Sequence, residues 1–187
     1  MSAARVSQCP ADKGIEVACA GRSNAGKSSA INIICDQNKL ARASKTPGRT
    51  RLINFFALSE NQRLVDLPGY GFARVPIAVR LEWGKLVESY LASRQSLMGI
   101  VLVMDIRHPL QPPDCTLIDW IAPRGIPLHI LLTKADKLKR GPAMAAVLST
   151  RRALNWLPGT SVQHFSALSG EGVDEARAVL GKWYSGQ

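Results

Sequence analysis

No run in this 187-residue chain approaches the roughly 20 consecutive apolar residues that a membrane-crossing helix needs, which excludes a helical integral membrane protein. Met1 to Gly14 lacks the apolar core of a secretory signal, and a cytoplasmic location is expected. Cysteine is sparse and scattered, at Cys9, Cys19, Cys35 and Cys115, with no C-x-x-C pair, so reduced thiols are expected in place of a disulfide framework. His108, His129 and His164 form no local cluster with those cysteines, which argues against a Cys/His metal centre. Aromatic residues make up only 6% and offer no base-stacking platform for single strands. Carboxylates are the last shortage: 14 Asp and Glu stand against 24 Lys and Arg, giving a net charge of +10. That surplus favours a polyanionic partner, nucleic acid foremost, because neutralising phosphates releases counterions. It is spread along the chain, so anionic lipid and a merely solvated basic surface stay open.

The length suits one full-sized core, and residues 1–187 read as a single domain with a flexible segment at 1–13. Short apolar runs alternate with amphipathic stretches of helical length, the pattern of an α/β protein with a mostly parallel sheet. Six strands are expected at 15–20, 52–58, 62–66, 99–105, 128–133 and 161–165, the second and third paired antiparallel across the short turn Ser59-Glu60-Asn61. Helices are expected at 27–35, 77–97, 114–121, 142–154 and 173–184, the second presenting Ile77, Leu81, Val87 and Leu91 to the core.

Gly21-Arg22-Ser23-Asn24-Ala25-Gly26-Lys27-Ser28 fits G-x-x-x-x-G-K-S and follows the first strand, as a phosphate-cradling loop must. Its glycines let backbone N–H groups close on a polyphosphate, and the helix starting near Lys27 adds the positive end of its dipole. Lys27 is then expected on the terminal phosphates and Ser28 on magnesium. Asp66-Leu67-Pro68-Gly69 ends the third strand: Asp66 suits a water-mediated contact to magnesium and the Gly69 N–H a terminal phosphate, although D-x-x-G by itself is only a turn. Asp136, in Thr133-Lys134-Ala135-Asp136, can accept both the N1 and N2 hydrogens of guanine, while adenine would leave that carboxylate unpaired. The Lys134 stem can lie along the base, and Ser166 and Ala167 are expected to close the base pocket through main-chain groups. All four segments fall where strands end, on the rim at which open α/β sheets bind ligands.

Taken together, GRSNAGKSS at 21–29, SKTPGRT at 44–50, DLPGYGFA at 66–73, MDIRHPL at 104–110, TKADKL at 133–138 and FSAL at 165–168 make residues 14–185 resemble the EngB (YihA/YsxC) type of ribosome-biogenesis GTPase, within the TrmE-Era-EngA-EngB-Septin-like group. The resemblance implies a Ras-like P-loop GTPase fold of three layers, with a six-stranded sheet, one antiparallel strand and about five helices. It implies GTP and GDP as ligands, Mg2+ as cofactor, and a role in assembling the large ribosomal subunit or its precursor through rRNA and ribosomal proteins, with a link to cell division and septation. It places nucleotide contacts on Gly21, Arg22, Ser23, Asn24, Ala25, Gly26, Lys27, Ser28 and Ser29, on Gly48, Arg49, Thr50, Arg51 and Leu52, on Asp66, Leu67, Pro68 and Gly69, on Thr133, Lys134, Ala135 and Asp136, and on Phe165, Ser166 and Ala167. Lys27, Thr50 and Gly69 take the catalytic roles; Ser28 and Thr50 are the magnesium ligands, with Asp66 acting through water.

Three departures from the wider GTPase pattern shape the expectations. Tyr70 stands where many GTPases carry a water-positioning glutamine, so unaided hydrolysis should be slow. Thr133 replaces an asparagine whose amide braces the phosphate loop. Asn24 lies where potassium-stimulated GTPases such as MnmE hold a monovalent cation, leaving a K+ site there as an open expectation. Nothing suggests an obligate dimer. Arg74, Lys137, Lys139, Arg140, Arg151 and Arg152 are the basic residues to test against RNA. The competing functions are a P-loop ATPase or kinase, which Asp136 opposes, and a GTP-dependent RNA-binding module without significant hydrolysis, which Tyr70 allows.

Overall fold

The computed structural model describes residues 1–41, 52–71 and 77–186. Strands are β1 Ser2–Ala3, β2 Ile15–Gly21, β3 Ile53–Ala57, β4 Gln62–Asp66, β5 Leu97–Asp105, β6 Leu128–Thr133 and β7 Thr160–His164. Helices are α1 Lys27–Ile34, α2 Ile77–Ser93, α3 Pro112–Ile121, α4 Arg140–Ala153 and α5 Val173–Tyr184. The strands form one sheet in the order β1-β3-β4-β2-β5-β6-β7. Among the described residues only β3 opposes the other strands, pairing antiparallel with both β1 and β4.

The central strands read as continuous apolar runs because both faces are covered. Along β2, Ala18 and Ala20 face a core with Val87 and Leu91 of α2, Leu117 and Ile121 of α3, and Ala143 and Val147 of α4. The alternate Val17 and Cys19 face a second core with Ile31 of α1 and Ala176 and Leu180 of α5. This makes the three layers of the expected P-loop GTPase fold.

Among the described residues the sheet has seven strands where six were expected. The extra one comes from the first thirteen residues, which are tied down instead of loose. Ser2 and Ala3 pair with Asn54 and Ile53, and Ala3 is buried. Two residues are too few to carry a periodic signal, and their partner is an otherwise open sheet edge. Asp12 accepts hydrogen bonds from the Gln95 and Ser96 N–H groups at 2.9 and 2.8 Å. That anchor helps end α2 at Ser93, four residues short of the expected boundary, and frees Leu97 to begin β5. Leu81, expected in the core, is 60% exposed.

Candidate functional site

The described segments of the expected site do converge at the carboxyl ends of β2, β4, β6 and β7. Gly21 ends β2 packed so tightly on β5 that a Cβ there would lie 2.7 Å from the Val103 carbonyl. The loop then turns through Asn24 (φ 62°) and Gly26 (φ 96°), both left-handed, and Gly26 caps α1. The D-x-x-G segment is stitched to this loop. Ser23 N–H donates to the Tyr70 carbonyl at 2.8 Å, Ser23 Oγ to the same oxygen at 3.1 Å, and Leu67 N–H to the Cys19 carbonyl at 2.9 Å. Gly69 therefore lies against the phosphate loop, where a Cβ would be 3.5 Å from Ser23 Oγ.

At the other end of the rim, the Ser166 hydroxyl donates to Asp136 Oδ1 at 2.7 Å, and this bond is the main reason the exposed Asp136 carboxyl is held below the usual carboxylate range. Lys137 Nζ sits 3.3 Å from Oδ2. Lys134, itself left-handed at φ 59°, places Nζ 2.6 Å from the Asn24 carbonyl and 2.9 Å from Asp105 Oδ2. One ammonium thus joins the base motif, the phosphate loop and the end of β5. The Thr133 hydroxyl reaches the carbonyls of Ala25 and Met104. The brace expected to vanish with the missing asparagine is present in reduced form, since a hydroxyl has a single proton to share between two acceptors.

The model of the 50S ribosome-binding GTPase family matches residues 16–134. The chain belongs to that family. The GTPase is also similar in structure to a probable GTP-binding protein engB, at 22% identity with a TM-score of 0.74, over 92% of this chain and 100% of the other. A variant of Aquifex aeolicus Era bound to GDP and AlF4⁻ is 20% identical with a TM-score of 0.70, over 91% of this chain and 57% of the other. Era in complex with MgGDPNP and a segment of 16S ribosomal RNA is 21% identical with a TM-score of 0.67, again over 91% and 57%. At these identities the likeness establishes the fold.

Several expected contacts of this GTPase take a different form. The Arg22 side chain turns away from the loop it belongs to, with Nε 3.0 Å from Asp114 Oδ2 and a second nitrogen 2.7 Å from the His108 carbonyl, so only its backbone is available to a phosphate. Leu67 and Phe165 are core residues, and the Phe165 carbonyl accepts from Ala135 N–H at 3.1 Å. Pro68 is buried, its carbonyl accepting the Trp83 indole N–H at 2.8 Å. Ser166 spends its N–H on the Glu171 carbonyl and its carbonyl on Gly170 N–H, so it supports Asp136 by its side chain while its main-chain groups are already paired. Ser29 and Leu52 are exposed beside the site. Gly48, Arg49, Thr50 and Arg51 lie outside the described residues.

Lys27 Nζ pairs with Asp66 Oδ1, and Asn54 Nδ2 approaches Asp66 Oδ2 at 3.4 Å. The donor set fits magnesium, a hard cation that takes oxygen ligands: the Ser28 hydroxyl opens α1 and the Asp66 carboxylate closes β4, both beside the phosphate-loop lysine. Reading the sequence missed two contributors, Asn54 and Asp105. Asp105 deserved notice on the same ground as Asp66, as an acid closing an apolar central strand. Hydrogen bonds from Arg107 first, then from Lys134, hold its carboxyl well below the usual range despite burial.

Proposed function

We propose that this GTPase binds GTP and GDP with Mg2+ on the rim just described and works as a nucleotide-dependent switch in assembly of the bacterial large ribosomal subunit, with a consequent role in normal division and septation. The supporting observation is the Ser166-Asp136 pair, which presents an ionised carboxylate to a purine edge while Lys134 and Thr133 tie that base motif to the phosphate loop. Lys27 would hold the terminal phosphates, Ser28 and Thr50 would hold the cation with Asp66 contributing through water, and the Gly69 N–H would report the third phosphate. Bound magnesium would neutralise charge developing between the second and third phosphates.

Replacing Asp136 by Asn tests the base assignment. An amide offers one acceptor and a donor, so GTP affinity should fall by about 100-fold while the xanthine nucleotide, which carries an oxygen at the same edge, gains. Unchanged GTP binding, or tight ATP with weak GTP in the unaltered protein, would favour an ATPase or kinase.

Unaided hydrolysis is expected to be slow, because the Tyr70 hydroxyl is engaged with Asp114 at 2.9 Å instead of orienting a water. The same burial favours the second reading, a GTP-dependent RNA-binding module that does not hydrolyse. Single-turnover assays with purified ribosomal subunits separate the two, since a switch should be stimulated. Turnover should also be faster in potassium than in sodium if Asn24, exposed at the loop's edge, helps hold a monovalent cation. The protein is taken to act as a cytoplasmic monomer. Carried on a non-hydrolysable GTP analogue, it should travel with the large subunit or its precursor in a sucrose gradient.

A further inference from the structure

Asp114 lies in the first turn of α3, outside the sequence motifs assigned to the nucleotide, and it is completely buried. Both of its oxygens are in use. Arg22 Nε approaches them at 3.2 and 3.0 Å, the Tyr70 hydroxyl donates to Oδ1 at 2.9 Å, and the Gln111 N–H donates to Oδ2 at 3.0 Å. Arg22 belongs to the phosphate loop and Tyr70 follows Gly69. One carboxylate rooted in a third element therefore grips the two segments between which a terminal phosphate must sit. The grip is reinforced on the far side of Gly69: Trp83 holds the Pro68 carbonyl and packs its ring on Tyr70, with centroids 5.1 Å apart. Gly69 has no side chain to hold it, so its N–H direction depends on what happens to Pro68 and Tyr70.

We infer that Asp114 is a positioning residue that sets the gap between the Gly69 N–H and the phosphate loop, and thereby sets how strongly this protein prefers the nucleoside triphosphate to the diphosphate. The inference rests on the nucleotide-site reading above and adds to it a determinant of phosphate number. The physics is preorganisation: a donor fixed in advance at the third phosphate's position gives its full interaction energy, whereas a donor on a loose segment first loses entropy to reach it. Only the triphosphate feels the difference, because the diphosphate has nothing at that position. A purely structural carboxylate would affect both ligands alike.

The test measures the affinities of GDP and of a non-hydrolysable GTP analogue by calorimetry, in magnesium, for the unaltered protein, Tyr70→Phe and Asp114→Asn. Tyr70→Phe keeps the ring on Trp83 and removes one hydrogen bond to a charged group, so the affinity for the GTP analogue should drop about fivefold with GDP unchanged. Asp114→Asn, which also leaves Arg22 without its counter-charge, should reduce the ratio further. If the buried change prevents folding, Tyr70→Phe alone decides. Equal losses for both nucleotides, an unchanged ratio, or a ratio that moves toward the triphosphate would overturn the inference. Failure of the unaltered protein to bind either nucleotide would instead refute the site itself.

Discussion

Individual side chains set the sharpest expectations. Ser166 stabilises the ionised form of Asp136, so that carboxylate stays charged below the pH at which an ordinary aspartate, near pKa 3.9, takes up a proton. The proposed guanine recognition by Asp136 would need the charged form; GTP affinity should accordingly persist on acidification, and Ser166→Ala should move the acid limb of the affinity profile to higher pH. Titrating nucleotide binding in both proteins between pH 7 and pH 3 would show it. Thr133→Ala removes the hydroxyl that reaches the Ala25 carbonyl and should weaken GTP and GDP equally, by about fivefold, because the loop it braces serves phosphates common to both. The parallel loss distinguishes this position from Tyr70. At this scale the motifs predicted which segments meet on the rim more readily than they predicted where each side chain turns. Asp136 and Lys27 stand where their motifs put them. Arg22 and Ser166 belong to equally recognisable motifs yet turn their side chains to partners in α3 and the base motif, because a motif's spacing fixes a backbone path while distant residues decide where each side chain finds a hydrogen bond.

Among the elements, β5 and α5 depend on one missing side chain. Gly99 lies under the Trp183 ring, where a Cβ would approach Cε3 to 2.3 Å. Gly99→Ala should destabilise the fold by about 1–3 kcal/mol, as overpacking does, and a smaller apolar residue at 183 should recover most of it; denaturant midpoints of the single and double variants would check this. Neighbouring His129 on β6 is buried with both nitrogens partnered, Nδ1 by Ser161 at 2.6 Å and Nε2 by Gln163 at 2.8 Å. Burial lowers its pKa, with the Gln163 bond opposing. The unfolded chain then binds the proton more readily than the folded one, so this group's contribution is complete above the unfolded value near 6.5 and declines as pH falls through it. Thermal midpoints should therefore decrease below about pH 6.5, and less so in His129→Gln. The sheet was legible because its central strands are apolar on both faces and bounded by turns. The boundary at Ser93 and the short strand Ser2–Ala3 were not, since both are settled by contacts with partners far along the chain, Asp12 with Gln95 and Ser2 with Asn54.

For the molecule as a whole, the longest stretch free of carboxylates runs between Asp136 and Glu171, a span that carries Lys137, Lys139, Arg140, Arg151 and Arg152. Not all of these are equally available. Arg151 donates to the Val162 carbonyl at 3.1 and 2.6 Å, and Lys137 neighbours Asp136. Arg74 lies outside the described residues. Lys139, Arg140 and Arg152 are exposed, and reversing them to Glu should weaken association with the ribosomal subunit and flatten its dependence on salt in co-sedimentation. The pairing of Lys27 with Asp66 carries the last consequence. Each partner neutralises the other, so neither an incoming phosphate nor a divalent ion meets an unbalanced charge at that point. On the proposed reading, Asp66 would be released toward a cation only when a phosphate claims Lys27. Metal offered without nucleotide should find little purchase, and the two ought to arrive and depart as a single cargo.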